Sequence, residues 1–342
     1  MGCCRQASFF ISGIVCFSMF LAVPVLGQSS SAGASAESST DAWSVPRTAW
    51  GHPNLEGVWT TDDESHVPVE RAEDLADRLE LTSEEVAASI AGRKAGLEIG
   101  SAGTSDGPAH WYEHAGEDAS ARTSLIVYPP NGRVPPLTSE GAQRWDNRMQ
   151  DTRTLLSGGS AGGGPFNGPE DLDLRDRCIT RGLPNTYFPS AYNNAFQIVQ
   201  NEDHVAILYE RLHEHRMISL DERPHLDASV RQYFGDSRGY WDGDTLVVET
   251  TNFGGVNFRG SMEGLHLVER FTRIDNETVN VEFTVSDPST WTSDWKVIMN
   301  AKSDPSYWQI FEYACHEANY GMFNILSGAR ALEARQAASG SK

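Results

Sequence analysis

Cysteine is scarce in this chain, and basic residues are outnumbered. Five Cys occur in 342 residues, and three of them, Cys3, Cys4 and Cys16, fall near the N-terminus. That scarcity excludes a small scaffold held by many disulfides. The two that remain, Cys178 and Cys315, suggest one disulfide in an oxidising compartment. Closing a loop of that length stabilises by about 4 kcal/mol or more in the chain-entropy model. Lys and Arg total 27 against 47 Asp and Glu, a net charge of −20. Nucleic acid is excluded as a partner, because phosphate contacts need a basic surface. The acidity reads as a solvated surface. Long apolar runs are missing beyond residue 26, so no later segment is expected to span a membrane.

One apolar run is present. Arg5 precedes an uncharged stretch from Phe9 to Leu26, which ends at Val25-Leu26-Gly27 before Gln28. That pattern predicts a cleavable export signal over residues 1–27 and a secreted or periplasmic location. A lipoprotein would carry Cys where Gln28 stands. Residues 28–45 are Ser- and Ala-rich and read as a disordered leader. A hydrophobic content of 39% with 10% aromatics supports a packed core. We expect one mainly β domain over 46–340, with a helical and loop insertion at about 70–175.

Residues 55–61, LEGVWTT, look like a strand entry, with a G-x-W at Gly57-Val58-Trp59. Residues 70–97 have helical spacing, and Thr82 to Glu85 form a capping box within them. The Pro-rich run 127–137 is no central strand. A helix is expected at 138–155, capped by Thr138 or Ser139, and a flexible loop at 157–170. From about 186 the texture is alternating and β-branched, broken by the acidic turns NEDH, DGD and DNE. WKVIMNA and YWQIFEYAC complete the strands, and 322–337 reads as a terminal amphipathic helix. Consecutive hairpins predict an antiparallel meander closing into a lipocalin-like barrel or a strongly curved sheet. Trp59, Trp241, Trp291, Trp295 and Trp308 are expected mostly in the core.

Several long motifs stand out: RCITRGLP at 177–184, YNNAFQIVQ at 192–200, GDSRGYWDGDTLVVETTNFG at 235–254, LHLVERFTR at 265–273 and EYACHEANYGMFNILSGAR at 312–330. On these the chain resembles a large family of exported bacterial proteins of unassigned function. The resemblance runs from Trp50 to Arg330. It implies an exported, mostly β protein and contains both Cys178 and Cys315, in keeping with a disulfide.

The candidate chemistry lies in His and carboxylate clusters. Glu210-Arg211-Leu212-His213-Glu214-His215-Arg216 is followed by Asp221, Arg223 and His225. On one strand His213 and His215 would share a face, and Glu210, Glu214 and Arg216 the other. Such a pair presents two imidazoles to a divalent metal. A third ligand would come from His225, His316 or Glu317. A cupin arrangement is excluded, because Ser219 stands where its Glu belongs. Cys315-His316-Glu317 offers an imidazole held beside a disulfide. His266 is expected to share its strand face with Arg270 and to lie opposite Glu269. Asp236-Ser237-Arg238 reads as a turn, with Arg238 in a salt bridge. Gly158-Gly159-Ser160-Ala161-Gly162 lacks the strand and helix of a nucleophile elbow and is set aside.

The expected function is an exported enzyme acting on a small, partly apolar molecule by His and carboxylate acid–base chemistry. Its class would be lyase, hydratase, cyclase or isomerase. The residues expected to carry it are Glu210, His213, Arg216, His225, His266 and His316, with no cofactor. One rival is a non-catalytic, lipocalin-like carrier of a small molecule. Another is a metal-dependent hydrolase using His213 and His215.

Overall fold

The computed structural model describes residues 43–75, 77–103, 111–116, 118–145, 166–172, 174–254, 258–304, 309–317 and 319–340. The expected export signal, most of the leader, the Gly-rich stretch up to 165 and Trp308 lie outside them. From Trp43 onward the chain forms one unit. Its strands are β1 (Gly57–Thr60), β2 (Ile126–Tyr128), β3 (Ala195–Gln200), β4 (His204–Tyr209), β5 (His215–Ser219), β6 (Asp236–Asp242), β7 (Thr245–Thr251), β8 (His266–Arg273), β9 (Thr278–Ser286) and β10 (Trp295–Lys302).

Alternation builds the core. On β9, Val279, Val281, Phe283 and Val285 have no exposed surface, and Ala301, Met299, Val297 and Trp295 of β10 stand opposite them in the same order. Cross-strand pairs of this kind stabilise a sheet. The hairpin from β6 to β7 turns on Gly243, whose φ of 62° suits a two-residue turn between paired Asp242 and Thr245. Strand order is β1-β3-β4-β5-β6-β7-β8-β9-β10, and β1 meets β10 through Thr60 and Lys302. Nine strands therefore close into a barrel, and the short β2 takes the rest of β10's edge. Pairing is antiparallel except where β5 touches β6, through Ser219 and Arg238 alone.

The interior is filled by side chains. Trp59, Phe196, Tyr209, Phe258, Phe271, Phe283, Trp291 and Trp295 are all almost fully buried and belong to one cluster. At the barrel entry Gly57 has φ 147°, and a Cβ there would press on the Trp59 ring at 3.3 Å. Arg273 covers that ring at 5.3 Å, and Trp59 Nε1 donates to the Leu55 carbonyl at 3.0 Å.

Four expectations change. The helix expected from residue 70 begins at Ser83 and runs to Gly103, and Glu73–Leu75 is a 3₁₀ turn. Its capping box forms as expected: Glu85 N–H donates to Thr82 Oγ1, and Thr82 N–H donates to Glu85 Oε2. The segment 204–220 is two strands. Leu212 and His213 take positive φ in a 3₁₀ turn, which breaks the pairing. His213 and His215 therefore do not share one strand. The described part of YWQIFEYAC, 309–315, is no strand, because β9 on one side and β1 and β2 on the other already use β10's edges. The terminal helix runs from Tyr320 to Gly340 and buries Ala329 against Phe166 and Leu172. Residues 139–145 are helical, with Thr138 Oγ1 accepting from Gly141 N–H.

Candidate functional site

Two clusters of charged side chains organise the barrel, one inside and one outside. Inside, Arg216 of β5 forks onto Glu269 of β8, with N–O distances of 2.7 and 2.6 Å. The same guanidinium donates to Tyr187 Oη at 2.8 Å, and the Tyr187 and Tyr209 hydroxyls lie 2.6 Å apart. Burial pushes both phenols well above the usual range. This group lies among aromatic rings, and Arg216 is buried in the core.

Outside, residues 220–235 leave β5 and return to β6 as a strap. It is fastened at the start of β6 and the end of β7. Asp236 Oδ2 accepts from Leu226 N–H at 3.0 Å, and Asn252 Nδ2 donates to the Leu226 and Asp227 carbonyls. The strap lays His225 against the sheet. His225 Nδ1 is 2.9 Å from Asp236 Oδ2, and Arg238 holds the other oxygen of Asp236 at 3.1 Å. A carboxylate only accepts, so Nδ1 carries the hydrogen of that bond. The His225 Nε2 is buried and has no hydrogen-bond partner among the described residues. It faces Glu249 Oε2 at 3.8 Å, beyond hydrogen-bond reach.

Strand register supplies the rest. Glu249 stands opposite Arg238 on one side and Val268 on the other. His266, two residues before Val268, shares its outward face. His266 Nε2 donates to Glu249 Oε1 at 2.7 Å. Asp236, His225, Glu249 and His266 thus lie in a row, from a buried carboxylate to a half-buried imidazole, with a gap of 3.8 Å between His225 and Glu249. Glu249 and Arg238 also line a cleft of about 570 Å³, walled by His52, Tyr240 and Trp241. His52 and Trp241 rings lie 5.4 Å apart, and the Trp241 Nε1 and Arg238 Nε donors have no hydrogen-bond partner among the described residues.

Of the six residues expected from sequence, the fold brings His225 and His266 together. Glu210 is buried beside the start of β3, where its carboxylate accepts from Ala195 N–H at 3.2 Å and burial pushes its pKa up. His213 and His215 are exposed, on a turn and a strand end. His316 is exposed next to Cys315, far in sequence from the strap. His266 faces outward and does not face the lumen. Among the described residues, no three His, Cys, Asp or Glu side chains are arranged to hold a metal ion. Sequence reasoning missed Glu249, and read Asp236 as a turn residue. Arg238 makes the salt bridge expected of it.

Cys178 and Cys315 form a disulfide across 137 residues, with Cα atoms 5.7 Å apart. It indicates an oxidising compartment. No helix among the described residues is long and apolar enough to cross a membrane.

No protein-family model matches the chain, and no curated protein matches it. Among solved structures, the fluorescent protein UnaG is similar to part of the chain. Its wild type is 14% identical, over 32% of this chain and 72% of that chain, with a TM-score of 0.21. A single-site mutant of it gives the same identity and TM-score over 70% of its length. A likeness this distant carries no argument about function.

Proposed function

We propose that the chain is an exported enzyme that moves protons on a small, partly apolar molecule. His225 is its base, and His266 its acid, on either side of Glu249. One observation carries the reading. Asp236 takes the Nδ1 hydrogen bond of His225, and the buried Nε2, with no hydrogen-bond partner among the described residues, faces Glu249, which lines the cleft. Imidazole suits both roles near neutral pH. When Nε2 takes a proton, the ring becomes a cation between two carboxylates, Asp236 and Glu249, which stabilise it. His266, as the imidazolium, gives a proton to the product side, and the proton taken by His225 restores it before the next cycle. No electron is gained or lost, so the reaction is an isomerisation, an addition or elimination of water, or a ring closure. Tyr240 and Trp241 supply apolar contact, and Arg238 a donor for a substrate oxygen.

The family resemblance supports export and the site together, because its motifs at 235–254 and 265–273 carry Asp236, Arg238, Glu249 and His266.

The test needs no prior substrate. The purified protein is incubated in D₂O with a panel of small carbonyl, hydroxy and unsaturated compounds. Mass spectrometry then reads deuterium uptake or gain or loss of water. His225→Ala and Glu249→Gln should each slow the turnover found by about 100-fold or more, the usual worth of a positioned base. His213→Ala and His316→Ala should leave it unchanged. Undiminished turnover in both His225→Ala and His266→Ala sinks the assignment.

A further inference from the structure

The barrel wall has a weak seam. β5 and β6 touch through Ser219 and Arg238 alone, and β6 runs on to Asp242 after β5 has ended. In the β6–β7 hairpin, residues that bond across to β7 alternate with residues that do not, and Asp242 with Thr245 forms the closing pair. The backbone N–H and C=O of Trp241 therefore point away from β7, to the edge that β5 leaves open. Tyr240 and Trp241 are neighbours on one strand, so their rings leave opposite faces of it. Both rings line the cleft of about 570 Å³, which thus wraps that open edge.

The charges in the cleft exclude most ligands. Glu202, Glu222 and Glu249 bring three carboxylates to it. Arg223 and Arg238 bring two guanidiniums, and these are tied to Asp221 and Asp236, which are not in the lining. Glu202 and Glu222 form no ion pair among the described residues, so an anion meets repulsion there. A cation meets the two guanidiniums and leaves the Trp241 N–H without an acceptor. Carboxylates only accept and guanidiniums only donate, whereas a hydroxyl does both. A ring bearing several hydroxyls meets both kinds of group and brings no charge of its own. The Tyr240 ring is 54% exposed. Its face is the negative pole of the ring quadrupole, and C–H groups next to hydroxyls are a positive complement to it.

We infer that this cleft binds a neutral pyranose, with hydroxyls on Glu202, Glu222 and the Trp241 backbone and a C–H face on Tyr240. The inference names the substrate class of the proton-transfer site proposed above and rests on that reading for the reaction. The volume fits one sugar ring with room for a substituent.

Saturation-transfer NMR of the full chain with glucose, galactose and xylose tests this, beside glucuronate, glucosamine and cyclohexanol. At least one of the three neutral sugars should bind at a single site, with its C–H protons saturated most strongly from aromatic resonances. Glucuronate and cyclohexanol should bind at least about tenfold more weakly than that sugar, the worth of one hydrogen bond to a charged group. Glucosamine should bind no more tightly. Tyr240→Ala and Glu202→Ala should each weaken the sugar about tenfold, and Phe323→Ala, an exposed ring on the terminal helix, should not. No neutral sugar bound, glucuronate or glucosamine bound more tightly, or unchanged binding in both Tyr240→Ala and Glu202→Ala overturns the inference. The wild-type comparison decides if a variant fails to fold. A wild type that binds a sugar and moves no proton sinks the acid–base reading alone. A wild type that turns over a compound with no hydroxylated ring and binds no sugar sinks this inference alone.

Discussion

Glu269 has no exposed surface, and among the described residues its charged partner is Arg216. Removing one member leaves the other charged in an apolar interior. Glu269→Gln should cost about 3–5 kcal/mol in urea denaturation, whereas the double change Arg216→Met with Glu269→Leu should recover most of it. That asymmetry, if absent, would show that water reaches the pair. The pair was legible in outline. Leu267, Glu269 and Phe271 alternate, so a carboxylate sits on an inward face, and Arg216 precedes inward Ile218 by the same spacing. Their meeting was not legible, because β5 and β8 are separated by two strands. The outer cluster has the same character. His225 and His266 were visible as residue types, but Glu249 joins them only through the β7–β8 register, and the long connection after Thr251 hides that register.

Elements with local signals came through best. The Thr82–Glu85 capping box and the Gly243 hairpin each have a cause within four residues, and both form. Thr82→Ala should shift stability by about 0.5–2 kcal/mol, visible as a small loss of helical circular dichroism. Phe283→Ala, at the centre of β9, should cost about 3–5 kcal/mol by thermal or chemical melting, since it leaves a cavity under Tyr187 and Phe188. A cost below that of Thr82→Ala would mean the core collapses to fill the gap. Elements with non-local causes were misread. VAILYERLHEHRMISL has unbroken strand chemistry, yet it turns at Leu212 and His213, where Tyr209 N–H already bonds the Glu214 carbonyl. YWQIFEYAC has the composition of a strand, and no edge remains for it.

At the scale of the whole molecule, the disulfide ties the stretch before the terminal helix to a loop 137 residues earlier. Its reduction, or Cys178→Ser with Cys315→Ser, should lower unfolding free energy by about 4–5 kcal/mol, measured with and without reductant. Acid–base balance is also global. Asp62 is raised to about 7 by burial and by Glu113, and Glu214 to about 7 by burial. Both bind protons more tightly folded than unfolded. Their contribution is therefore complete below about pH 4 and is lost as pH rises through about 7. The urea midpoint should fall over that window, and Asp62→Asn with Glu214→Gln should flatten the fall. An unchanged slope in the double variant would place the two carboxyls in water.

The ring of strands also has an order in time. A ribosome makes β1 first and β10 last, and the Thr60–Lys302 contact needs both. Hairpins such as β6–β7 and β9–β10 can form as soon as they emerge, while the strand that opens the chain waits for the one that ends the barrel. Arg216 and Glu269 lie inside that ring, so the last contact also completes the wall around them.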